Sequence, residues 1–204
     1  MKRFFLICIL LFTIVGCGSP DTPTIRILFI GNSYTFVNDL PGMFAKLSEA
    51  GGHRVEVGME ASGGWSLADH VESAQTRKAI RSSKWDYVVL QEQSQIPASK
   101  YLREQEMYPP ARVLIARIRE VGATPILYLT PAHLNGWPDM ELMDYDSMQY
   151  QVNAGYYGIA QELNAIVAPV GVAWSSARGQ NPDLLLWQAD GSHPDEQGTY
   201  LAAC

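Results

Sequence analysis

Two short segments, far apart in this chain, carry the residue types of a nucleophile, a base and an orienting carboxylate. Residues 31–35 read GNSYT and place Ser33 just after an apolar run, where a buried strand is expected to end. Residues 190–193 read DGSH, so Asp190 and His193 lie in one loop. A serine hydroxyl attacks well only when a base takes its proton, and a histidine base needs a carboxylate to fix its tautomer. These residues therefore predict hydrolysis with Ser33 as nucleophile, His193 as general base and Asp190 as its partner.

Each of these residues also has an ordinary structural explanation. A serine in such a turn is commonly a helix cap, and Asp-Gly is a common turn dipeptide. The strand before Ser33 and the polar, proline-flanked loop around His193 favour the catalytic interpretation. The rival signature Gly-x-Ser-x-Gly needs a glycine where this chain has Thr35, which argues against the nucleophile elbow of an α/β-hydrolase.

The rest of the chain alternates apolar strand patterns with helical patterns. Strands are predicted at residues 25–30, 53–59, 85–91, 124–130 and 165–172, and helices at 39–50, 66–82, 109–122, 146–163 and 182–186. This alternation predicts an α/β fold, a three-layer α/β/α sandwich around a mostly parallel sheet. In such sheets the sites lie at the carboxyl ends of the strands, where Ser33 is expected. Residues 201–204 read as the first turns of a helix, so we expect a chain truncated at its C-terminus.

The two segments resemble the first and last sequence blocks of the SGNH (GDSL-like) hydrolase superfamily. Gly64, or equally Gly63, stands where the glycine of the second block would fall. The third block departs from the usual pattern, because residues 88–94 read VVLQEQS where the family usually has an asparagine. This resembles a bacterial subgroup related to carbohydrate acylesterases. The resemblance implies the flavodoxin-like SGNH hydrolase fold for residues 25–204.

The resemblance also implies an oxyanion hole, because the tetrahedral intermediate of acyl transfer needs two or three fixed hydrogen-bond donors. The backbone N–H groups of Ser33 and Gly64 are expected to supply two of them. A glutamine amide donates the same bond as an asparagine from a longer arm. Gln91 is the expected side-chain donor and Gln93 is the alternative. A strand-end glutamine can also serve only as a loop anchor.

The N-terminal segment predicts export. Residues 1–16 begin with a basic pair and continue with an apolar stretch too short for a comfortable membrane span, as in a signal peptide. The sequence IVGC at 14–17 resembles a bacterial lipobox, so we expect lipidation of Cys17 followed by a linker through residue 24. An ordinary secretory signal and an uncleaved anchor are the alternatives. All three interpretations place the domain outside the cytoplasm. The lipobox interpretation predicts a periplasmic or cell-surface lipoprotein that is held to the membrane only by its lipid.

Composition limits the remaining possibilities. The chain has 204 residues, is 47% hydrophobic and carries 15 basic against 21 acidic side chains, which predicts one well-packed domain and disfavours nucleic acid as a partner. Its histidines have no metal-ligand spacing and no glycine-rich phosphate loop is present, so we expect no cofactor and no metal.

These observations together predict a serine esterase that removes acyl groups, here expected to be acetyl, from carbohydrates through a Ser33 acyl-enzyme. The carbohydrate preference follows from the resemblance and from the predicted location, and a lipase or a thioesterase is the alternative within the same chemistry. The candidates for lining a sugar cleft, which could equally pack in its rim or in the core, are Tyr34, Trp65, His133 and Trp137. The alternative from another functional class is a non-catalytic surface lipoprotein that acts as a glycan-binding module.

Overall fold

A computed structural model describes residues 23–204, which form a five-stranded parallel sheet with helices on both faces. The strands in chain order are Ile25–Gly31 (β1), Val55–Ala61 (β2), Tyr87–Leu90 (β3), Thr124–Tyr128 (β4) and Ile166–Ala168 (β5). Their spatial order is β2-β1-β3-β4-β5, and all four pairings are parallel. This is the doubly wound, flavodoxin-like order, and it confirms the predicted three-layer sandwich. The predicted signal peptide and Cys17 lie outside the described residues.

The helices connect successive strands and flank the sheet. Those formed by the described residues are Ser33–Phe36 (α1), Leu40–Ala50 (α2), Leu67–Glu72 (α3), Ala74–Arg81 (α4), Lys100–Leu102 (α5), Tyr108–Glu120 (α6), Tyr145–Leu163 (α7), Val170–Gln180 (α8) and Glu196–Ala203 (α9). A π-helical turn, Arg103–Met107, joins α5 to α6. No helix within residues 23–204 has both the length and the apolar character needed to cross a membrane.

The two central strands are buried on both faces, as expected for a parallel sheet with helices on either side. In β1, Leu28 and Ile30 are almost fully buried, and Phe29 packs edge-on against Phe44 of α2 with ring centroids 5.8 Å apart. Helices α2, α8 and α9 cover the Phe29 face, and α3, α4, α6 and α7 cover the other. With β1 and β3 paired side by side, the segments that follow them meet at one edge of the sheet.

Apart from shifts of one or two residues at the ends of other elements, three predicted elements differ from the observed ones. The helix predicted at 66–82 is broken at Ser73, whose extended backbone ends α3 and whose hydroxyl accepts the N–H of Thr76 to begin α4. The last predicted strand stops at residue 168, because Pro169 lacks an N–H and α8 starts directly after it. The helix predicted at 182–186 is wrong, since that segment has no helical structure.

Candidate active site

Ser33 is the first residue of α1 and directly follows the turn at the carboxyl end of β1. Asn32 organises this turn, because its side-chain oxygen accepts the N–H of Tyr34 at 3.2 Å and its carbonyl accepts that of Thr35 at 2.9 Å. The N–H of Ser33 donates to no acceptor among the described residues. The turn therefore leaves one backbone donor free beside the serine hydroxyl.

His193 lies between Ser33 and Asp190. Its Nε2 lies 2.9 Å from Ser33 Oγ, and its Nδ1 lies 2.6 Å from Asp190 Oδ2. The other carboxylate oxygen of Asp190 accepts the backbone N–H groups of Ser192 at 2.9 Å and His193 at 3.0 Å. The structure thus brings together the three residues named from the two distant sequence segments. A carboxylate that accepts the Nδ1–H leaves the Nε2 lone pair facing the serine hydroxyl, so the imidazole can take that proton.

The electrostatics of Asp190 favour its charged form. Partial burial acts to raise the pKa of this carboxyl, but the hydrogen bonds from the His193 ring and from the two backbone N–H groups outweigh it and hold the pKa below its usual value. The carboxylate is therefore ionised at neutral pH and can stabilise an imidazolium beside it.

Gln91 lies beneath the Ser33 turn. Its Oε1 accepts the N–H of Asn32 and the hydroxyl of Thr35, both at 2.9 Å, and its Nε2 donates to the carbonyl of Glu92. The side chain is 1% exposed. A Cβ at Gly31 would overlap Gln91 Oε1, so the glycine makes room for this support. Because both polar atoms are engaged and the side chain is enclosed, this placement argues against Gln91 as the oxyanion donor and favours the loop-anchor interpretation.

The loop that contains Gly63 and Gly64 borders the Ser33 turn. Asn32 Nδ2 donates to the carbonyl of Trp65 at 2.8 Å, which fastens this loop to the turn. Gly64 has a φ of +74° and open space where a Cβ would project, so a side chain there would be strained by the backbone rather than by neighbours. Among the described residues, neither glycine donates its N–H to an acceptor.

A second hydrogen-bonded group lies beside Ser33 and His193. His133 Nε2 is 2.9 Å from Ser94 Oγ and 3.2 Å from Ser192 Oγ, which in turn is 2.9 Å from the hydroxyl of Tyr34. Burial holds the pKa of His133 below its ordinary value and raises the pKa of Tyr34 to about 12. These neutral side chains connect the segments after β1, β3 and β4 to the loop that carries His193.

The four side chains considered for a sugar cleft differ in burial. Tyr34 is buried, with its ring edge-on to that of His193. Trp65, His133 and Trp137 are half-buried, and Trp137 also packs against the core. Of the four, Tyr34 therefore offers the least surface to a ligand.

Sequence reasoning missed three supporting residues: Asn32, His70 and Glu92. His70 is fully buried, and its Nε2–H donates to the carbonyl of Gly31 at 2.9 Å while its Nδ1 accepts the Thr76 hydroxyl at 2.9 Å. The sequence signal that could have identified Glu92 is its place in the polar run QEQS, which follows the apolar residues of a strand. Within residues 23–204, no three acidic, histidine or cysteine side chains cluster as metal ligands would.

Comparisons with known proteins identify similar structures. No protein-family model and no curated protein matches the chain. A protein from Slackia heliotrinireducens, described as an SGNH hydrolase, is 30% identical, with a TM-score of 0.74 over 89% of this chain and 96% of that one. A lipase/acylhydrolase from Enterococcus faecalis is 20% identical, with a TM-score of 0.64 over 88% and 91% of the two chains. A variant of an acetyl xylan esterase from Geobacillus stearothermophilus is 18% identical, with a TM-score of 0.65 over 88% and 91%. The last two similarities concern the fold alone.

Proposed function

This chain belongs to the SGNH (GDSL-like) hydrolase superfamily, and from that membership we propose that it is a serine esterase acting through a Ser33 acyl-enzyme. The observation that carries the proposal is the unbroken chain of hydrogen bonds from Asp190 through His193 to Ser33. Nucleophile, base and orienting carboxylate then stand in the order that acyl transfer requires.

The proposed reaction has two halves. Ser33 Oγ attacks the ester carbonyl while His193 Nε2 takes the hydroxyl proton, and the imidazolium returns that proton to the departing alcohol. Water then attacks the acyl-enzyme, again losing a proton to His193, and the carboxylic acid leaves as Ser33 regains its proton. Asp190 holds the imidazole in the required tautomer and stabilises its charged form in both halves.

The oxyanion of each tetrahedral intermediate is assigned to three donors. The N–H groups of Ser33 and Gly64 are unpaired within the described residues, which supports both. For the side-chain donor we choose Gln93 in place of Gln91. Gln93 Oε1 accepts the N–H groups of Gln95 at 2.8 Å and Ile96 at 3.2 Å, which orients the amide, while its Nε2 has only a long 3.4 Å contact with Gln95 Oε1. A half-buried amide whose Nε2 makes only this long contact fits the role better than the enclosed Gln91.

The proposed substrates are acetyl esters of carbohydrates. Two considerations support this choice: the similarity in fold to an acetyl xylan esterase, and the half-buried rings of Trp65 and His133 near the triad. Aromatic faces pack well on sugar rings. We further propose that the enzyme is an exported lipoprotein anchored through Cys17, so its substrates would be glycans or oligosaccharides at the cell envelope.

Hydrolysis of p-nitrophenyl acetate by the wild type and by Ser33→Ala tests the proposal. Removal of the nucleophile should lower kcat by about 10⁴-fold or more while the protein stays folded. Ser176→Ala, at an exposed serine of α8, is the matched control and should leave the rate unchanged. Acetylated xylo-oligosaccharides compared with longer-chain acyl esters then report the substrate class.

A Ser33→Ala variant that keeps about a tenth of the wild-type rate contradicts the assignment of the nucleophile. A full-length wild type that binds glycans but hydrolyses no ester favours the non-catalytic alternative.

A further inference from the structure

Glu92 is a fully buried acidic residue near the carboxyl end of β3, on the side of the sheet where the Ser33 turn follows β1. It follows β3 by two positions and is 0% exposed. Its Oε1 accepts two backbone N–H groups, that of Leu67 at 3.0 Å and that of Gln93 at 2.7 Å. Its own N–H donates to the hydroxyl of Tyr156 at 3.2 Å. One carboxyl oxygen therefore joins two segments that are distant in the sequence.

Both segments lead directly to proposed oxyanion donors. Leu67 is the first residue of α3, and the loop before it contains Gly64. Gln93 is the proposed side-chain donor itself. The bond to Leu67 thus restrains the position of the glycine loop, and the bond to Gln93 restrains the backbone from which the donor amide extends. Donors must already be in place when charge develops, so restraint of this kind acts on the transition state more than on substrate binding.

Gln91, the residue before Glu92, holds the turn that carries Ser33. Its Oε1 accepts the N–H of Asn32 and the hydroxyl of Thr35. Two consecutive side chains at the end of one central strand therefore connect all three segments that would surround the oxyanion. The two side chains reach different loops, Gln91 the Ser33 turn and Glu92 the backbone N–H of Leu67.

Resting on the esterase function proposed above, we propose that Glu92 is a positioning residue of the oxyanion hole, whose carboxyl oxygen fixes the Gly64 loop and the Gln93 segment relative to Ser33. The role needs an acceptor and not a negative charge. An amide oxygen in the same place should serve nearly as well.

The electrostatic surroundings agree with an uncharged acid. Burial, helped by the carboxylates of Asp69 and Glu106, raises the pKa of Glu92 to about 8, although hydrogen bonds from the two backbone N–H groups act to lower it. The second oxygen, Oε2, is buried with no hydrogen-bond partner among the described residues. A buried carboxylate with one oxygen unpartnered would be costly to charge, so the proton is retained at neutral pH.

Two substitutions at this position separate acceptor, charge and packing. Glu92→Gln keeps the acceptor oxygen, and its kcat for p-nitrophenyl acetate should stay within about threefold of wild type. Glu92→Leu keeps the volume but loses the acceptor, and its kcat should fall by about 10²-fold with KM nearly unchanged. The matched controls are Glu120→Gln and Glu120→Leu, at an exposed glutamate that ends α6, and both should behave as wild type. Glu92→Met replaces Glu92→Leu if the leucine variant does not fold.

A second readout does not depend on activity. Amide hydrogen exchange at Leu67 and Gln93 should accelerate by at least about tenfold in Glu92→Leu and stay slow in Glu92→Gln. A folded Glu92→Leu enzyme with wild-type kcat overturns the inference, and so does Glu92→Gln losing as much kcat as Glu92→Leu. If the wild type shows no Ser33-dependent hydrolysis, the proposed function fails. The exchange rates still decide the role of Glu92, because unchanged exchange in Glu92→Leu overturns it.

Discussion

Asp190→Asn tests the electrostatic part of the triad with little change in shape. The asparagine carbonyl can still accept the backbone N–H groups of Ser192 and His193, so the loop should keep its form. Its amide, however, would face His193 Nδ1 with a donor. That arrangement favours the tautomer that carries its proton on Nε2, which cannot accept the proton of Ser33.

The size of the effect follows from the exposure of the pair. Unit charges about 4 Å apart interact by about 1 kcal/mol in water and by about 4 kcal/mol at the effective dielectric constant near a protein surface. The side chains of Asp190 and His193 are 47% and 34% exposed, so the lost imidazolium stabilisation lies between these limits. At about 1.36 kcal/mol per tenfold in rate, and with the tautomer effect added, we expect kcat to fall by about 10²- to 10³-fold. A fully buried carboxylate can cost about 10⁴-fold.

The assay is hydrolysis of p-nitrophenyl acetate by wild type and Asp190→Asn across neutral pH, with KM expected to change little. Asp183→Asn, an exposed aspartate of the preceding loop, is the control for loss of a negative charge. His193→Ala gives the full loss of the base for comparison. If Asp190→Asn costs less than about fivefold while His193→Ala costs more than about 10³-fold, Asp190 does not orient the base and the reasoning is wrong.

Three further predictions concern other parts of the molecule. Gln93→Ala should lower kcat by about 10²-fold at nearly constant KM with little change in stability, whereas Gln91→Ala, which removes the support of the Ser33 turn, should lower the free energy of unfolding in denaturant titrations together with kcat; a Gln91→Ala variant of unchanged stability that loses more kcat than Gln93→Ala would restore Gln91 as the donor. Because the pKa of Glu92 is raised from 4.5 to about 8, its neutral form contributes stability that is complete below pH 4.5 and is lost as the pH rises through about 8. As the pH rises through this window, the unfolding free energy of wild type should therefore fall relative to that of Glu92→Gln. Unfolding free energies of the two proteins that change in parallel with pH would contradict this prediction. Wild type expressed in a bacterium should incorporate labelled palmitate and Cys17→Ser should not, while an unlabelled, soluble wild type would show that no lipid anchor is attached.

Local patterns were sufficient for the general architecture, and they named three residues, Ser33, Asp190 and His193, of which the last lies within hydrogen-bond distance of the other two in the structure. The alternation of apolar strands and amphipathic helices predicted the sandwich because each element must bury one face or both. Ser33 was placed correctly at a strand end since the apolar run before it is unbroken. The strand predicted at 165–172 is too long because Val170 and Val172 suit a strand locally, whereas Pro169 ends the strand and α8 begins at Val170.

The supporting residues depended on the tertiary structure. The choice between Gln91 and Gln93 turns on the direction of each side chain, and β3 ends at Leu90 instead of continuing to Gln91 as predicted. Beyond that point side-chain direction is set by loop hydrogen bonds and no longer by strand alternation. Only the pairing of β3 beside β1 places Gln91 under the Ser33 turn. Sequence alone supplies the polar residues of VVLQEQS, but which loop each one holds depends on which strands are neighbours.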